Sequence, residues 1–490
     1  MTQKTWLGAA VSAVFVVMAF ILSPFCYGQQ RNVTAPVVML SDLHFDPFRD
    51  PSKLDELRLA KPKDWTAILD RPNAANQPEA FAALQKACKA RGIDSSWELL
   101  KASLAAAKAA QGSPAFVTIS GDLLTHNFDC RMRTLAGNVT PDELEDFAAK
   151  SLEFVALRTR EAFPGVAVYV ALGNNDSGCS DKHESVESKF MQRTLQVFMD
   201  GAFNERHHAA VRPVLDSLYD YNVVLPRPIK HGRLIVLQDV FAMPEYKDCD
   251  GKADEKPAQT QIAWLREQLT FARARNEHVW VMAHVPPGVD EYANFHKYLA
   301  SPQKICEAPP LTMMLATDEL TATLTEFSDV VRLAIFAHTH MDEMKALRGS
   351  KGQIVPAKIL PSISPVNGNL PAFTVGVIDT DTSILMDYSV YVASNTEAAS
   401  WSKSYEYGAT YKKPDYSAKS VADLTGRLMA DREGSEEASL AYQRLFQSGN
   451  VGNFAAGVKA LWPTYSCGTI ETTETTFRNC MCPSSIAEPK

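Results

Sequence analysis

Asp42 and His44 stand two residues apart directly after an apolar run, Val38-Met39-Leu40, and the same arrangement recurs along the chain. Val117-Thr118-Ile119-Ser120 leads into Gly121-Asp122, and Tyr169-Val170-Ala171-Leu172 into Gly173-Asn174-Asn175-Asp176. Val281-Met282-Ala283 leads into His284, and Ile335-Phe336-Ala337 into His338-Thr339-His340. A mixed Asp, Asn and His set suits Zn, Mn or Fe better than an all-oxygen calcium cage. Asp122 has the carboxylate that can bridge two ions, and a two-metal centre clamps the attacking and leaving oxygens of a phosphoryl group. In locally extended backbone, residues two apart project the same way, so Asp42 with His44, and His338 with His340, would each grip one region. A lone D-x-H or G-D is more often a turn or an N-cap than a ligand set. Their repetition in order, each at the end of an apolar run, argues against accident. His183, His207, His208, His231, His278 and His296 lie in less patterned contexts and read as surface or structural residues.

The runs that precede these clusters are β-rich: Val37–Leu40, Phe116–Ser120, Val166–Ala171, Leu234–Leu237, Val279–Met282 and Val331–Phe336. Helical stretches separate them, which predicts an α/β layered fold with strands buried on both faces. In such sheets ligands bind outside the carboxyl ends of the strands, so widely separated clusters can meet at one rim. Ser95 and Glu98 read as a capping box, Leu99, Leu100 and Leu104 as the apolar face of the helix behind it, and Gly112 with Pro114 as its stop. A second helix is expected from about Gln261 to Arg275. The polar, Pro-containing stretches Asp46–Ser95 and Asp181–His231 read as surface insertions around a mouth. Beyond Ala393 the strand signal fades into helical stretches, Val421–Asp431 and Glu436–Gln447, and a Thr- and Cys-rich tail. The expected division is a leader at 1–28, a main domain at 35–392 and a helical C-terminal extension at 393–490.

With 490 residues, 46% of them apolar, the chain can bury a large core. Its net charge is -8 and no basic block interrupts it, which argues against a nucleic-acid scaffold role. Lys4, the apolar run Trp6–Leu22 and the small residues ending near Gly28 read as a secretory signal peptide, so export to the periplasm or outside the cell is expected. An uncleaved anchor is the lesser alternative, because a span needs about 20 apolar residues. Cys26 falls in the leader, leaving Cys88, Cys130, Cys179, Cys249, Cys306, Cys467, Cys480 and Cys482. An even set in an exported chain predicts disulfides, with about a hundred possible connectivities.

The ordered motifs D-x-H, G-D, G-N-x followed by Asp, a lone His, and H-x-H resemble those of the calcineurin-like metallophosphoesterases. Ser41-Asp42-Leu43-His44-Phe45-Asp46, Gly121-Asp122 followed by His126, and His284-Val285-Pro286-Pro287-Gly288 resemble the acid sphingomyelinase-like branch. The resemblance covers about Val37 to Asp342 and implies a four-layer α/β/β/α sandwich. It implies one metal on Asp42, His44, Asp122 and His340, and a second on Asp122, Asn174, His284 and His338, two divalent ions with zinc first and Mn or Fe as alternatives. A metal-bridging hydroxide would attack phosphorus in line, with Asn174 helping to stabilise phosphoryl charge. Two positions depart from the pattern. Ala337 replaces the usual Gly, which is tolerable if that backbone needs no positive φ. Asn175 replaces the His that commonly protonates the leaving oxygen, and His126 could take that role. For Asn175, orienting a neighbour and touching substrate are both open. The implied function is phosphodiester hydrolysis on a small phosphate ester, nucleotide derivative or lipid headgroup, with transient membrane contact. Endopolyphosphatases of the same branch share the G-N-N-D form, so polyphosphate or monoester cleavage is an alternative, as is a secreted binding protein without turnover.

Overall fold

The computed structural model describes residues 1–2, 33–202, 214–215, 218–298, 304–307, 310–397, 400–449 and 453–482. The expected leader with Cys26 lies outside the described residues, as do His207, His208 and the side chain of His296. The strands are β1 Thr34–Leu40, β2 Phe116–Ser120, β3 Ala167–Ala171, β4 Val214–Leu215, β5 Tyr221–Val224, β6 Gly232–Val236 and β7 His278–Met282. They continue with β8 Val331–Phe336, β9 Glu343–Arg348, β10 Ile354–Ile359, β11 Ala372–Asp379, β12 Leu385–Ala393 and β13 Trp401–Glu406. All six runs read from the sequence are strands.

One sheet runs β13-β12-β11-β1-β2-β3 and the other β4-β5-β6-β7-β8-β10-β9. At the centre of each, β1-β2-β3 and β6-β7-β8-β10 are parallel. Every residue of β2, β3 and β6 is buried, as continuous apolar strands covered on both faces should be. The sheets pack face to face. Phe116 of β2 meets Trp280 of β7 with ring centroids 5.8 Å apart. The Tyr221 hydroxyl of β5 donates to Val170 O of β3 at 2.9 Å and accepts from Val170 N at 2.8 Å. Helices Trp97–Ala110 and Pro141–Ala162 contact the first sheet, and Lys256–Ala274, Glu319–Glu326 and Ala418–Ala430 the second, giving an α/β/β/α sandwich.

The helix starts follow local chemistry. Thr140 and Glu143 form a capping box with Pro141 at the first position, and Leu144, Phe147, Ala148, Leu152 and Val155 line the buried face behind it. The cap of Trp97–Ala110 is one residue later than the sequence suggested: Ser96 Oγ accepts from Leu99 N at 3.2 Å. Ser95 has another task, its backbone N–H donating to His44 O at 3.1 Å. The stretches read as insertions hold short helices at 46–95, and helix Lys189–Ala202 with β4 and β5 at 181–231.

After β12 come β13 and a run of helices, among them Ala418–Ala430 and Glu437–Leu445. The eight cysteines pair as Cys88–Cys130, Cys179–Cys249, Cys306–Cys482 and Cys467–Cys480. Cys306–Cys482 fastens the tail beside a satellite cluster of Val289, Ile305, Leu311 and Phe477, and Cys467–Cys480 closes a short loop within the tail. No helix among the described residues is long and apolar enough to cross a membrane.

Candidate metal centre

The loops after β1, β2, β3, β7 and β8 carry Asp42 and His44, Asp122, Asn174, His284, and His338 and His340 to one rim. Donor atoms of Asp42, His44, Asp122 and His340 lie within 4.8 Å of one another, and so do those of Asp122, His284 and His338. Asn174 joins the second group, its Oδ1 3.2 Å from His284 Nε2. Asp122 belongs to both groups: one Oδ2 atom is 3.3 Å from His44 Nε2 and 3.3 Å from His284 Nε2. His44 and His340 turn Nε2 atoms towards each other at 3.1 Å.

The local backbone is not the extended one expected for the D-x-H and H-x-H pairs. Asp42, His44, Asp122, His338 and His340 have φ of 46°, 39°, 55°, 68° and 66°. Left-handed non-glycine residues are uncommon and cost energy, and they collect at functional sites where the surroundings enforce them. Here the enforcement is a backbone net: Asp42 N donates to Gly121 O at 3.0 Å, His44 N to Asp122 O at 2.9 Å and Ser364 N to Asp42 O at 2.9 Å. Ala337 is not among the left-handed residues, so its methyl adds no strain. The glycines are there for space. A Cβ on Gly121 would stand 2.6 Å from His284 Nδ1, and one on Gly173 would stand 2.2 Å from Asp122 Oδ1.

Behind the ligand atoms, His44 Nδ1 donates to Leu124 O and His284 Nδ1 to Ser120 O, each at 2.7 Å, which directs both Nε2 atoms to the centre. Asn175 orients a ligand: its backbone N–H and Nδ2 donate to the two carboxylate oxygens of Asp122, each at 2.9 Å. Asp176 accepts from Leu123 N, Leu124 N and Gly173 N and so splices the G-D and G-N loops together.

Sequence reasoning missed Asp94, Asp181 and Asp239. Asp94 lies in a stretch read as insertion, yet it is buried and holds His126 Nδ1 at 3.1 Å, together with Thr125 Oγ1 and Ser364 Oγ. Asp181 accepts from Asn174 Nδ2 at 2.7 Å, and Asp239 accepts the backbone N–H of His284 and of Val285. Each is a lone Asp in an unpatterned context, so nothing in the sequence marked it. His126 stacks on His44 with ring centroids 4.1 Å apart and has its edge at the mouth, where its side chain is 16% exposed.

The charges fit a cation. Burial alone would depress His44 and His284, but the Asp122 carboxylate overrides it and raises them to about 9 and about 10. Burial also disfavours the charged form of Asp122, yet His284 and His44 hold it well below the ordinary carboxylate range. Burial, opposed by His284 and reinforced by Asp122, raises Asp42 to about 6. Burial and His284 push His338 down to about 3, and burial with His44 holds His340 well below its usual value. Both Asp42 carboxylate oxygens and Nδ1 of His338 and His340 are buried without a hydrogen-bond partner. Asp42 without donors and His338 and His340 without protons leave lone pairs that a divalent cation satisfies, and such a cation would replace the protons that Asp122 holds on His44 and His284. The centre opens into a cavity of about 440 Å³, whose wall includes His126, Asn174, Asn175, Met314, Phe446 and Tyr465.

Residues 35–342 match the calcineurin-like phosphoesterase family. The chain is 25% identical over 461 residues to acid sphingomyelinase-like phosphodiesterase 3b of Homo sapiens, covering 90% of this chain and 88% of that one. It is 24% identical over 410 residues to the protein of that name from Mus musculus, covering 80% and 79%. It is 26% identical over 275 residues to a cyclic GMP-AMP phosphodiesterase of Homo sapiens, covering 54% and 56%. Family membership implies divalent metal ions, and the clustered Asp and His side chains supply donors for them. The chain thus belongs to the calcineurin-like phosphoesterases, on their acid sphingomyelinase-like branch, and is an enzyme that hydrolyses phosphoric esters.

Proposed function

We propose that the chain is an exported phosphodiesterase working at a two-metal centre, with zinc the first candidate. The observation that carries this reading is Asp122 standing in both donor groups. Asp42, His44, Asp122 and His340 would hold one ion, and Asp122, Asn174, His284 and His338 the other. When bound, two such ions neutralise charge on the phosphoryl oxygens and make water acidic enough to attack phosphorus at neutral pH. The chain's own groups do the rest. Asn175 keeps the Asp122 carboxylate turned to both sites, and Asn174, anchored on Asp181, offers Oδ1 as a ligand and its remaining N–H to a phosphoryl oxygen. Water adds to phosphorus, the bond to the leaving alcohol breaks, and His126, oriented by Asp94, gives that oxygen its proton. The proton released by the water restores His126.

A diester substrate is supported by the similar proteins, which are named phosphodiesterases. Four disulfides support export, since they persist in oxidising compartments. The test pairs metal analysis with a panel of diester, monoester and polyphosphate substrates, on wild type and on Asp122→Asn. Wild type should hold about two ions and cleave diesters best. Asp122→Asn should lose metal from both sites and fall below about 1% of wild-type activity, more than the loss typical of an outer-shell change. A single ion in wild type, or full metal content in Asp122→Asn, rejects the shared-carboxylate centre.

A further inference from the structure

Nine Asp, Glu, Lys and Arg residues line the cavity, and most are already engaged. Glu291 pairs with Lys345 at 3.1 Å, Glu343 accepts from Thr339 Oγ1 at 2.6 Å, and Asp290 accepts from Ala293 N at 2.8 Å. Asp181 holds Asn174, Lys182 pairs with Glu245, and Arg131 pairs with Asp46 at 3.0 Å. Asp122 belongs to the metal centre. Lys89 and Arg91 have no ion-pair partner among the described residues, and both are exposed at the cavity wall. In a chain of net charge -8, these are the two cations of the cavity wall that no carboxylate among the described residues pairs.

The position of these cations is set by covalent and steric constraints. Cys88, directly before Lys89, is disulfide-bonded to Cys130 with Cα atoms 5.8 Å apart. Cys130 lies in helix Phe128–Ala136, which begins two residues after His126. In that helix Arg131 donates through Nε to His126 O at 2.9 Å and leaves a buried NH2 without a partner. Gly92 seats the other end of the loop: a Cβ there would stand 2.5 Å from Val366 O. Asn127 and Asn367 line the same part of the wall. The basic loop is therefore fastened beside the histidine that faces the leaving oxygen.

We infer that Lys89 and Arg91 form an anion subsite on the leaving-group side, so that the natural substrate carries a further phosphate on the group that departs. This rests on the phosphodiesterase reading above and deepens it. A neutral leaving group such as a diacylglycerol or ceramide would leave both cations unanswered. A leaving group with its own phosphate would meet charge-assisted hydrogen bonds from both. The second phosphate can belong to a nucleotide or to a phosphoanhydride chain, and the shared chemistry is a phosphate one linkage away from the bond that breaks.

The experiment compares the dinucleoside monophosphate ApA with pApA and ApAp, identifying the leaving nucleoside from the products, on the full chain and on Lys89→Ala/Arg91→Ala. Wild type should prefer the form phosphorylated on the leaving nucleoside by about 10- to 100-fold in kcat/KM, mainly through KM. In the double variant that preference should collapse towards one. A preference the variant retains overturns the inference while leaving the diesterase reading in place, as does no preference in wild type joined to equal tripolyphosphate binding by the two proteins. A calorimetric arm measures adenosine 3′,5′-bisphosphate and inorganic tripolyphosphate binding to the same two metal-loaded proteins. Weaker binding of both by the variant supports the subsite even if wild type cleaves no diester, the result that would reject the reading beneath it. A loss for tripolyphosphate alone assigns the subsite to a phosphoanhydride chain, a loss for the bisphosphate alone to a nucleotide, and equal binding of each ligand by the two proteins overturns the inference. Unchanged metal content and melting temperature in the variant establish that its fold is intact.

Discussion

His126 is held from behind by a buried carboxylate and exposed in front to the cavity, the arrangement of a group that delivers a proton to substrate. Burial disfavours the charged form of Asp94, but its bonds to His126 and Thr125 hold it well below the ordinary carboxylate range, so it remains an anion facing the ring. His126→Ala should lower kcat by about 10²- to 10⁴-fold on an alkyl diester. The loss on a p-nitrophenyl diester should be much smaller, because that leaving group needs little protonation. Equal losses on both would mean that His126 positions substrate instead. Asp181 acts one bond further out, through Asn174. Asp181→Ala should weaken binding of the metal at the proposed Asn174 site by about 10- to 100-fold, read by competition with a chelator, and Asp181→Asn should restore most of it because an amide oxygen can still accept. Additive losses in the Asp181→Ala/Asn174→Ala pair would show that the two residues act separately.

At the scale of elements, the strands stop where the chemistry starts. β2 and β3 are buried along their whole length, and within two residues of their ends Gly121 and Gly173 leave room for His284 and Asp122. The segment after β3 contains a second buried carboxyl, Glu184, which accepts from Ser188 Oγ at 2.7 Å and Ser185 N at 2.8 Å. Burial raises it from 4.5 to about 8 despite those donors. Glu184 therefore binds its proton more tightly in the folded chain than in the unfolded one. As pH rises from about 4.5 towards 8 the unfolded state ionises first, and stability falls through that window. Glu184→Gln should raise the melting temperature little near pH 5 and clearly near pH 8. An equal gain at both would show that Glu184 is not held neutral by the fold.

For the whole molecule, the sandwich brings strand ends from both sheets to one rim, and buried donors there face one another. Chelation should lower the melting temperature, because ions that bind only the folded state contribute about 4 kcal/mol each at 1,000-fold above Kd. Zinc, manganese or iron should restore it and calcium should not, given imidazole ligands. Restoration by calcium alone would contradict the donor chemistry. The disulfides divide the work by place: Cys88–Cys130 and Cys179–Cys249 clasp loops beside the rim, Cys306–Cys482 fastens the tail, and Cys467–Cys480 braces it internally.

The amino-acid sequence alone determined the parts whose physics is local. Apolar runs buried on both faces mark β1, β2, β3, β6, β7 and β8, and the polar clusters that end five of them mark Asp42, His44, Asp122, Asn174, His284, His338 and His340. The strands β9 and β10 escaped notice because they carry Lys345 and Lys358 at buried positions. Such lysines read as surface until tertiary partners, Glu291 and Asp342, are in place. Only the tertiary structure decided which cysteines pair, because sequence separation says nothing about where loops meet. It also turned the D-x-H and H-x-H pairs out of the extended conformation, the first through hydrogen bonds to loops more than 70 residues away. Asp94, Asp181 and Asp239 follow the same rule. A carboxylate that orients a neighbour is defined by what it faces: for Asp94 and Asp239 that lies on another loop, and for Asp181 it is Asn174, seven residues back on the same loop.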